Sequence, residues 1–170
     1  ALGASINVQS ITAEYKNFHE LPRRHHVLAL RLVAGYERGD ALTERHFQLG
    51  GFIPYSLSLE GSRFLPLRGF TPGTIFGNKM LLASLEYSFP IWYVEGDAPF
   101  VPNFTKWFHG AFFADAGEAW TQSFNSMKVG VGGEFRWLSA VFHQVPLDAH
   151  FGIAFDASDF NKYFYYTRLG

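Results

Sequence analysis

The dominant signal in the chain is strict two-residue alternation, which sends successive side chains to opposite faces of a strand. Over residues 126–137 one face carries Ser126, Lys128, Gly130, Gly132, Glu134 and Arg136, and the other Met127, Val129, Val131, Gly133, Phe135 and Trp137. Residues 146–156 sort the same way, with Asp148, His150, Gly152, Ala154 and Asp156 opposite Leu147, Ala149, Phe151, Ile153 and Phe155. In residues 26–37, Leu28, Leu30, Leu32, Ala34 and Tyr36 oppose Ala29, Arg31, Gly35 and Glu37. In residues 79–91, Leu81, Ala83, Leu85, Tyr87 and Phe89 oppose Met80, Leu82, Ser84, Glu86 and Ser88. In residues 107–120, Phe108, Gly110, Phe112, Ala114 and Ala116 oppose His109, Phe113, Asp115 and Gly117. Residues 11–18 and 162–169 alternate less regularly. Turn-forming stretches at 21–24, 94–102, 121–125 and 157–161 separate the segments, and none has a helical period. The pattern predicts an all-β, antiparallel chain with one long connection, residues 40–78, rich in Gly and Pro. A loop of that length is expected to be functional or tucked against the strands.

Two architectures bury such strands: a soluble sandwich or small barrel with its apolar face inward, or a membrane barrel with that face outward. The polar face decides between them. A soluble exterior displays many long charged side chains, whereas this face is mostly Gly, Ser and Ala with scattered Arg, Glu, Asp and His, which suits a lumen. Tyr36, Phe89, Trp92, Tyr93, Trp107, Trp120, Trp137, Tyr163 and Tyr165 fall near strand ends, as in the aromatic girdles at lipid–water boundaries. Segments of about ten residues match a tilted bilayer span. The membrane barrel is therefore preferred, with a soluble all-β binding domain as the alternative.

Composition narrows the partners. With 170 residues, 48% hydrophobic and 17% charged, the chain holds one domain and is too apolar for disorder. A balance of 14 Lys and Arg against 15 Asp and Glu gives a net charge of -1 and no basic field for nucleic acid. The absence of cysteine removes disulfides, thiolate metal sites and cysteine nucleophiles. No apolar run approaches the ~18–20 residues of a spanning helix, and residues 1–20 lack a signal-peptide pattern. His109, Asp115, Asp148 and His150 lie on predicted inward faces and are the candidates for a metal or hydrolytic site. Polar lumens collect such residues, and no Gly-x-Ser-x-Gly elbow, His-Glu-x-x-His or phosphate loop accompanies them. The expectation is no enzymatic activity, no metal and no cofactor. His25 and His26, adjacent on a strand, would point to opposite sides.

Three motifs follow in order: Leu67-Arg68-Gly69-Phe70, then Ser84-Leu85-Glu86-Tyr87-Ser88-Phe89-Pro90, then Phe112-Phe113-Ala114-Asp115-Ala116-Gly117. As an ordered set they resemble the BamA/TamA-type outer-membrane protein superfamily, also called the bacterial surface antigen family, from about Ile11 onward. The resemblance implies an antiparallel transmembrane β-barrel of sixteen strands, of which residues 1–170 supply the C-terminal seven or eight. It implies an extracellular loop at about 40–78 folded into the lumen, where Arg68 pairs with acids on the following strands. Glu86 and Asp115 are its expected partners by motif and by strand parity. Gly69 allows an unusual backbone angle or close approach to the wall, Phe70 packs the loop tip, and Gly117 closes the Phe-x-Asp-x-Gly pattern.

The resemblance further implies a role in assembling outer-membrane proteins or moving polypeptides across the membrane. Its implied partners are outer-membrane lipid, nascent outer-membrane or secreted polypeptides, and periplasmic POTRA domains. The stretch from Phe47 to the arginine, with Pro72-Gly73 and Gly77-Asn78-Lys79, also resembles the branch joined to a TolB-like propeller. The implied location is the outer membrane of a Gram-negative bacterium or a related organelle, and a passive porin-like barrel is the alternative. If the loop is extracellular, the last strand ends on the periplasmic side and residues 11–18 start outside. Upstream barrel strands, or a second chain, are then expected to complete the ring. A change of face between Val8 and Ile11 suggests a bulged long first strand, or else an extra strand at residues 2–8.

Overall fold

A computed structural model of the chain describes residues 8–39, 46–51, 64–97, 103–141 and 145–169. Ten strands run in order: β1 (Val8–Glu20), β2 (Val27–Gly39), β3 (Phe47–Leu49), β4 (Phe64–Leu65), β5 (Ile75–Gly77), β6 (Lys79–Asp97), β7 (Asn103–Trp120), β8 (Lys128–Val141), β9 (Val145–Asp156) and β10 (Asp159–Leu169). Seven of them form one antiparallel sheet in the order β1-β2-β6-β7-β8-β9-β10. It is an up-and-down meander broken only by the long β2–β6 connection, and β1 and β10 are its edges. No helix of the described residues is long and apolar enough to cross a membrane.

Alternation works here because both flanking strands present like faces in register. Leu30 lies opposite Leu85, and Leu85 opposite Ala114, while Glu86 lies opposite Phe113 and Ser84 opposite Asp115. The outer face is thereby left uncovered: Phe112 is 60% exposed and Phe151 47%, with Leu32, Leu85, Phe135 and Tyr165 also exposed. Its rings stack across strands, Phe89 on Phe112 and Phe108 on both Phe135 and Trp137. Part of the inner face is covered instead. The β2–β6 connection returns over it as a small sheet of order β4-β3-β5. An apolar core lies between the two: Phe47, Leu49, Leu65, Leu67 and Ile75 from the connection pack against Val33, Met80, Leu82 and Ala119 of the wall. Met80 and Leu82, the apolar members of an otherwise polar face, are explained by this contact.

Several boundaries differ from the sequence expectations. β1 pairs with β2 without interruption from Val8↔Gly39 to Glu20↔Val27, so there is no bulge between Val8 and Ile11 and no hairpin at Gln9-Ser10. Val8 shares the face of Thr12 and Glu14. The further strand expected at residues 2–8 lies, apart from Val8, outside the described residues. β6 continues past Pro90 to Asp97, accommodating the missing N–H with register shifts at Pro90/Trp92 and Tyr93/Gly96. β10 begins at Asp159 and absorbs a shift before Tyr163. Tyr93 and Trp107 were expected in a lipid girdle. They are opposite each other and sit on the inner side, with Trp107 and Tyr93 both against the His109 ring. His25 and His26 belong to the β1–β2 turn, where His25 has φ 63°. His26 Nδ1 lies 2.6 Å from the Tyr87 hydroxyl.

Candidate functional site

The returning connection is shaped by glycine at its sharpest points. Gly50 and Gly51 adopt φ 130° and 64°, and the Gly51 amide donates to the Phe70 carbonyl at 2.7 Å. Together with the Gly51↔Leu67 bridge, this closes a compact turn that projects residues 68–70 toward the wall. Gly69, at φ 94°, lies so near β9 that a Cβ would sit 2.5 Å from the Phe155 carbonyl oxygen. Gly130 mirrors it from β8, where a Cβ would sit 1.7 Å from the Arg68 carbonyl oxygen. Bare backbone meets bare backbone, and the tip seats directly on the sheet.

Seating the tip brings the Arg68 guanidinium over the inner faces of β6 and β7. Its Nε donates to Asp115 Oδ2 at 2.6 Å and its Nη2 to Asp115 Oδ1 at 2.8 Å, a two-pronged pairing suited to the planar fork. The Arg68 backbone N–H donates to the same carboxylate at 3.2 Å, and Nη1 donates to Glu86 Oε2 at 3.2 Å. The guanidinium carbon stands 3.6 Å above the centre of the Phe113 ring, adding a cation–π contact. Gly132 makes room for that ring, since a Cβ there would lie 2.5 Å from it. Burial disfavours the guanidinium's charge, but hydrogen bonds and attraction from Asp115, followed by Glu86, outweigh it and raise the Arg68 pKa above its ordinary value. Arg68 is 8% exposed and Asp115 1%, so the pair is largely removed from water.

Of the residues singled out in the sequence, Arg68, Glu86 and Asp115 converge, and Gly69 lies at the contact with the wall. Phe70 and Gly117 are elsewhere. Phe70 packs against the loop's apolar core. Gly117 stands beneath that core, where a Cβ would crowd Leu49 at 2.9 Å and Leu82 at 3.1 Å. The two histidines and two aspartates considered for metal or hydrolysis do not assemble. Asp115 is engaged by Arg68, His109 lies among Tyr93 and Trp107, and His150 pairs with Asp148. Among the described residues no group of three or more His, Asp or Glu is placed to hold a metal ion.

Sequence reasoning missed the layer around the clamp. Arg136 Nη2 donates to Glu86 Oε1 at 2.6 Å, and Arg136 Nε donates to Glu134 Oε1. His150 Nδ1 lies 2.6 Å from that same Glu134 oxygen, and the Tyr166 hydroxyl donates to Glu134 Oε2 at 2.7 Å. Parity had put Glu134, Arg136 and His150 on the inner face. Only register could show that they lie on one row, with Glu134 opposite Gly152 and Arg136 opposite His150. Beside the clamp, a cavity of about 230 Å³ remains toward β1 and β2, bordered by Lys16, Phe18, Arg31 and Pro66.

Comparison with curated proteins gives no match. The sequence matches the Omp85 superfamily domain over residues 1–166, nearly its whole length. A sheet apolar outside, a polar inner wall and an arginine loop seated on that wall agree with the match, and the chain belongs to the Omp85 superfamily of outer-membrane β-barrels.

Proposed function

We propose that the chain is the C-terminal part of an outer-membrane β-barrel, residues 1–170, that assists insertion of outer-membrane proteins or passage of polypeptides across the membrane. In this reading the connection at about 40–78 is an extracellular loop folded into the lumen, held there by Arg68, Gly69, Phe70, Glu86, Asp115 and Gly117. The protein resides in the outer membrane of a Gram-negative bacterium or a related organelle. It works with upstream strands or a second chain that complete the ring, with a periplasmic POTRA or propeller domain, and with nascent polypeptides.

The observation that carries the proposal is the Arg68–Asp115 pair. A single buried guanidinium, gripped by two bonds from one carboxylate and one from another, fixes a long connection to the barrel wall. Such a pair contributes little net stability compared with an apolar contact of the same size, but it specifies one position. A loop fixed in this way suits a barrel whose lumen must stay sealed while its wall accepts polypeptide. The test is complementation with Arg68→Ala in the full-length protein. The expected result is a folded, membrane-inserted barrel with impaired assembly or transport, whereas undiminished transport overturns the proposal. Planar-bilayer recordings test the porin alternative, which predicts a steady conductance.

A further inference from the structure

The clamp extends beyond its two carboxylates. From Glu86 the bonded groups run through Arg136 to Glu134 and from there to both remaining strands, to His150 on β9 and to Tyr166 on β10. Tyr166 also interacts electrostatically with Arg68 itself, which links the loop arginine to the last strand of the sheet. This reach has a local cause. Tyr166 lies opposite Gly152, and a Cβ at that glycine would fall 2.1 Å from the tyrosine Cζ. The bare position lets the phenol lie flat along the wall with its hydroxyl directed at Glu134. One step further, Arg168 Nη2 is 3.1 Å from His150 Nε2 and 3.4 Å from Asp148 Oδ2.

The opposite edge is organised differently. On β1, Glu14 accepts from Arg31 at 2.6 Å and pairs with Lys16 at 3.2 Å, and among the described residues these ion pairs do not extend to Arg68. Among the described residues, β10 at one end of the sheet is bonded into the clamp, and β1 at the other end is not.

We propose that Tyr166 and Glu134 are positioning residues that couple the seated loop to β10, so that the clamp's state sets how firmly the edge strand is held. The inference deepens the clamp reading and rests on it. Its physical basis is a shared, largely buried network. Without the Arg68 guanidinium, Glu86 and Asp115 lose a cation, and Arg136 is the remaining cation bonded to Glu86 and is drawn from Glu134. Tyr166 then loses its electrostatic contact with Arg68 and the anchoring of Glu134, which its hydroxyl bonds. Coupling of this kind is reciprocal, so a polypeptide that pairs with or displaces β10 loosens the loop by the same factor.

The test is hydrogen exchange with mass spectrometry on the full-length protein reconstituted in lipid. Peptides covering β1, residues 65–70 and β10 are followed in the parent, Arg68→Ala, Tyr166→Phe, Glu134→Gln and the Arg68→Ala/Tyr166→Phe double variant. Coupling predicts that Arg68→Ala speeds exchange in β10 by about tenfold while β1 changes by less than about twofold. Tyr166→Phe and Glu134→Gln give similar increases in β10, and the double variant is no faster than the faster single one. Increases that multiply in the double variant, or that appear equally in β1 and β10, overturn the coupling. Faster exchange at residues 65–70 with β10 unchanged leaves the clamp standing and removes its link to the edge. Unchanged exchange at 65–70 overturns both. Should Arg68→Ala fail to insert, Arg68→Lys, which keeps the charge and loses the fork, replaces it in the same cycle.

Discussion

Gly130→Ala is the substitution that isolates seating of the loop from folding of the barrel. The added methyl would stand 1.7 Å from the Arg68 carbonyl oxygen, whereas a carbon and a carbonyl oxygen in close contact stay about 3.3 Å apart. The tip must therefore withdraw by roughly 1.5 Å. The bonds it holds at 2.6 and 2.8 Å to Asp115 would stretch past hydrogen-bonding range. Separating a buried ion pair costs about 3–5 kcal/mol, and water entering the lumen lowers that figure, so roughly 3 kcal/mol is expected. At about 1.4 kcal/mol per tenfold, the unseated loop becomes on the order of a hundred times more populated. Trypsin reports this directly, because Arg68 is buried when seated and cleavage after it tracks the open population. Appearance of the fragment ending at Arg68 should accelerate about a hundredfold. Gly133→Ala is the control: it lies on the outer face of the same strand, and its nearest contact would be an ordinary 3.6 Å. It should cleave at the parental rate. A folded Gly130→Ala protein that also cleaves at the parental rate would refute the seated geometry.

Three further outcomes follow from the same contacts. Asp115→Asn removes the charge opposite Arg68 while keeping the shape, and should raise cleavage after Arg68 by at least about tenfold with the barrel intact by circular dichroism. Leu49→Ala empties a fully buried site in the loop core and should destabilise the seated loop by about 2–5 kcal/mol, seen as faster amide exchange at Gly50 and Gly51. Phe112→Arg, at an outer position with no protein neighbour to pair it, should cost about 2–4 kcal/mol in reversible folding into lipid. The same change on a water-facing sheet would fall within about 0.5 kcal/mol, so a small value there argues against a lipid-facing surface.

Much of this fold was legible because period two is a direct imprint of a sheet with two solvents. Phe135, Phe151 and Leu85 fall on the outer face and Glu86, Asp115 and Glu134 on the inner, as alternation alone sorts them. The exceptions were just as physical. Met80 and Leu82 looked out of place on a polar face until the loop core was seen above them. The small sheet inside the connection was not legible, since strands of two or three residues carry no measurable period. Glycines at 130, 132 and 152 read as featureless lumen positions. Their meaning lies in what approaches them, the Arg68 carbonyl, Phe113 and Tyr166, and that requires three-dimensional register. Tyr166 lies in the weakly alternating stretch 162–169, and a side chain that reaches across strands to Glu134 leaves no mark in the sequence.

The central claim is that the outer row of side chains faces lipid and the inner row encloses water and the clamped loop. Single cysteines can be placed at each position from 147 to 155 of β9 except Gly152, where a side chain would meet Tyr166, in a full-length protein otherwise free of cysteine, then spin-labelled and reconstituted in vesicles. Collision with oxygen, which concentrates in the bilayer, should peak at 147, 149, 151, 153 and 155 and fall at 148, 150 and 154, of which 150 and 154 are buried on the inner side. Equal accessibility at odd and even positions, or peaks at the even ones, would contradict the account.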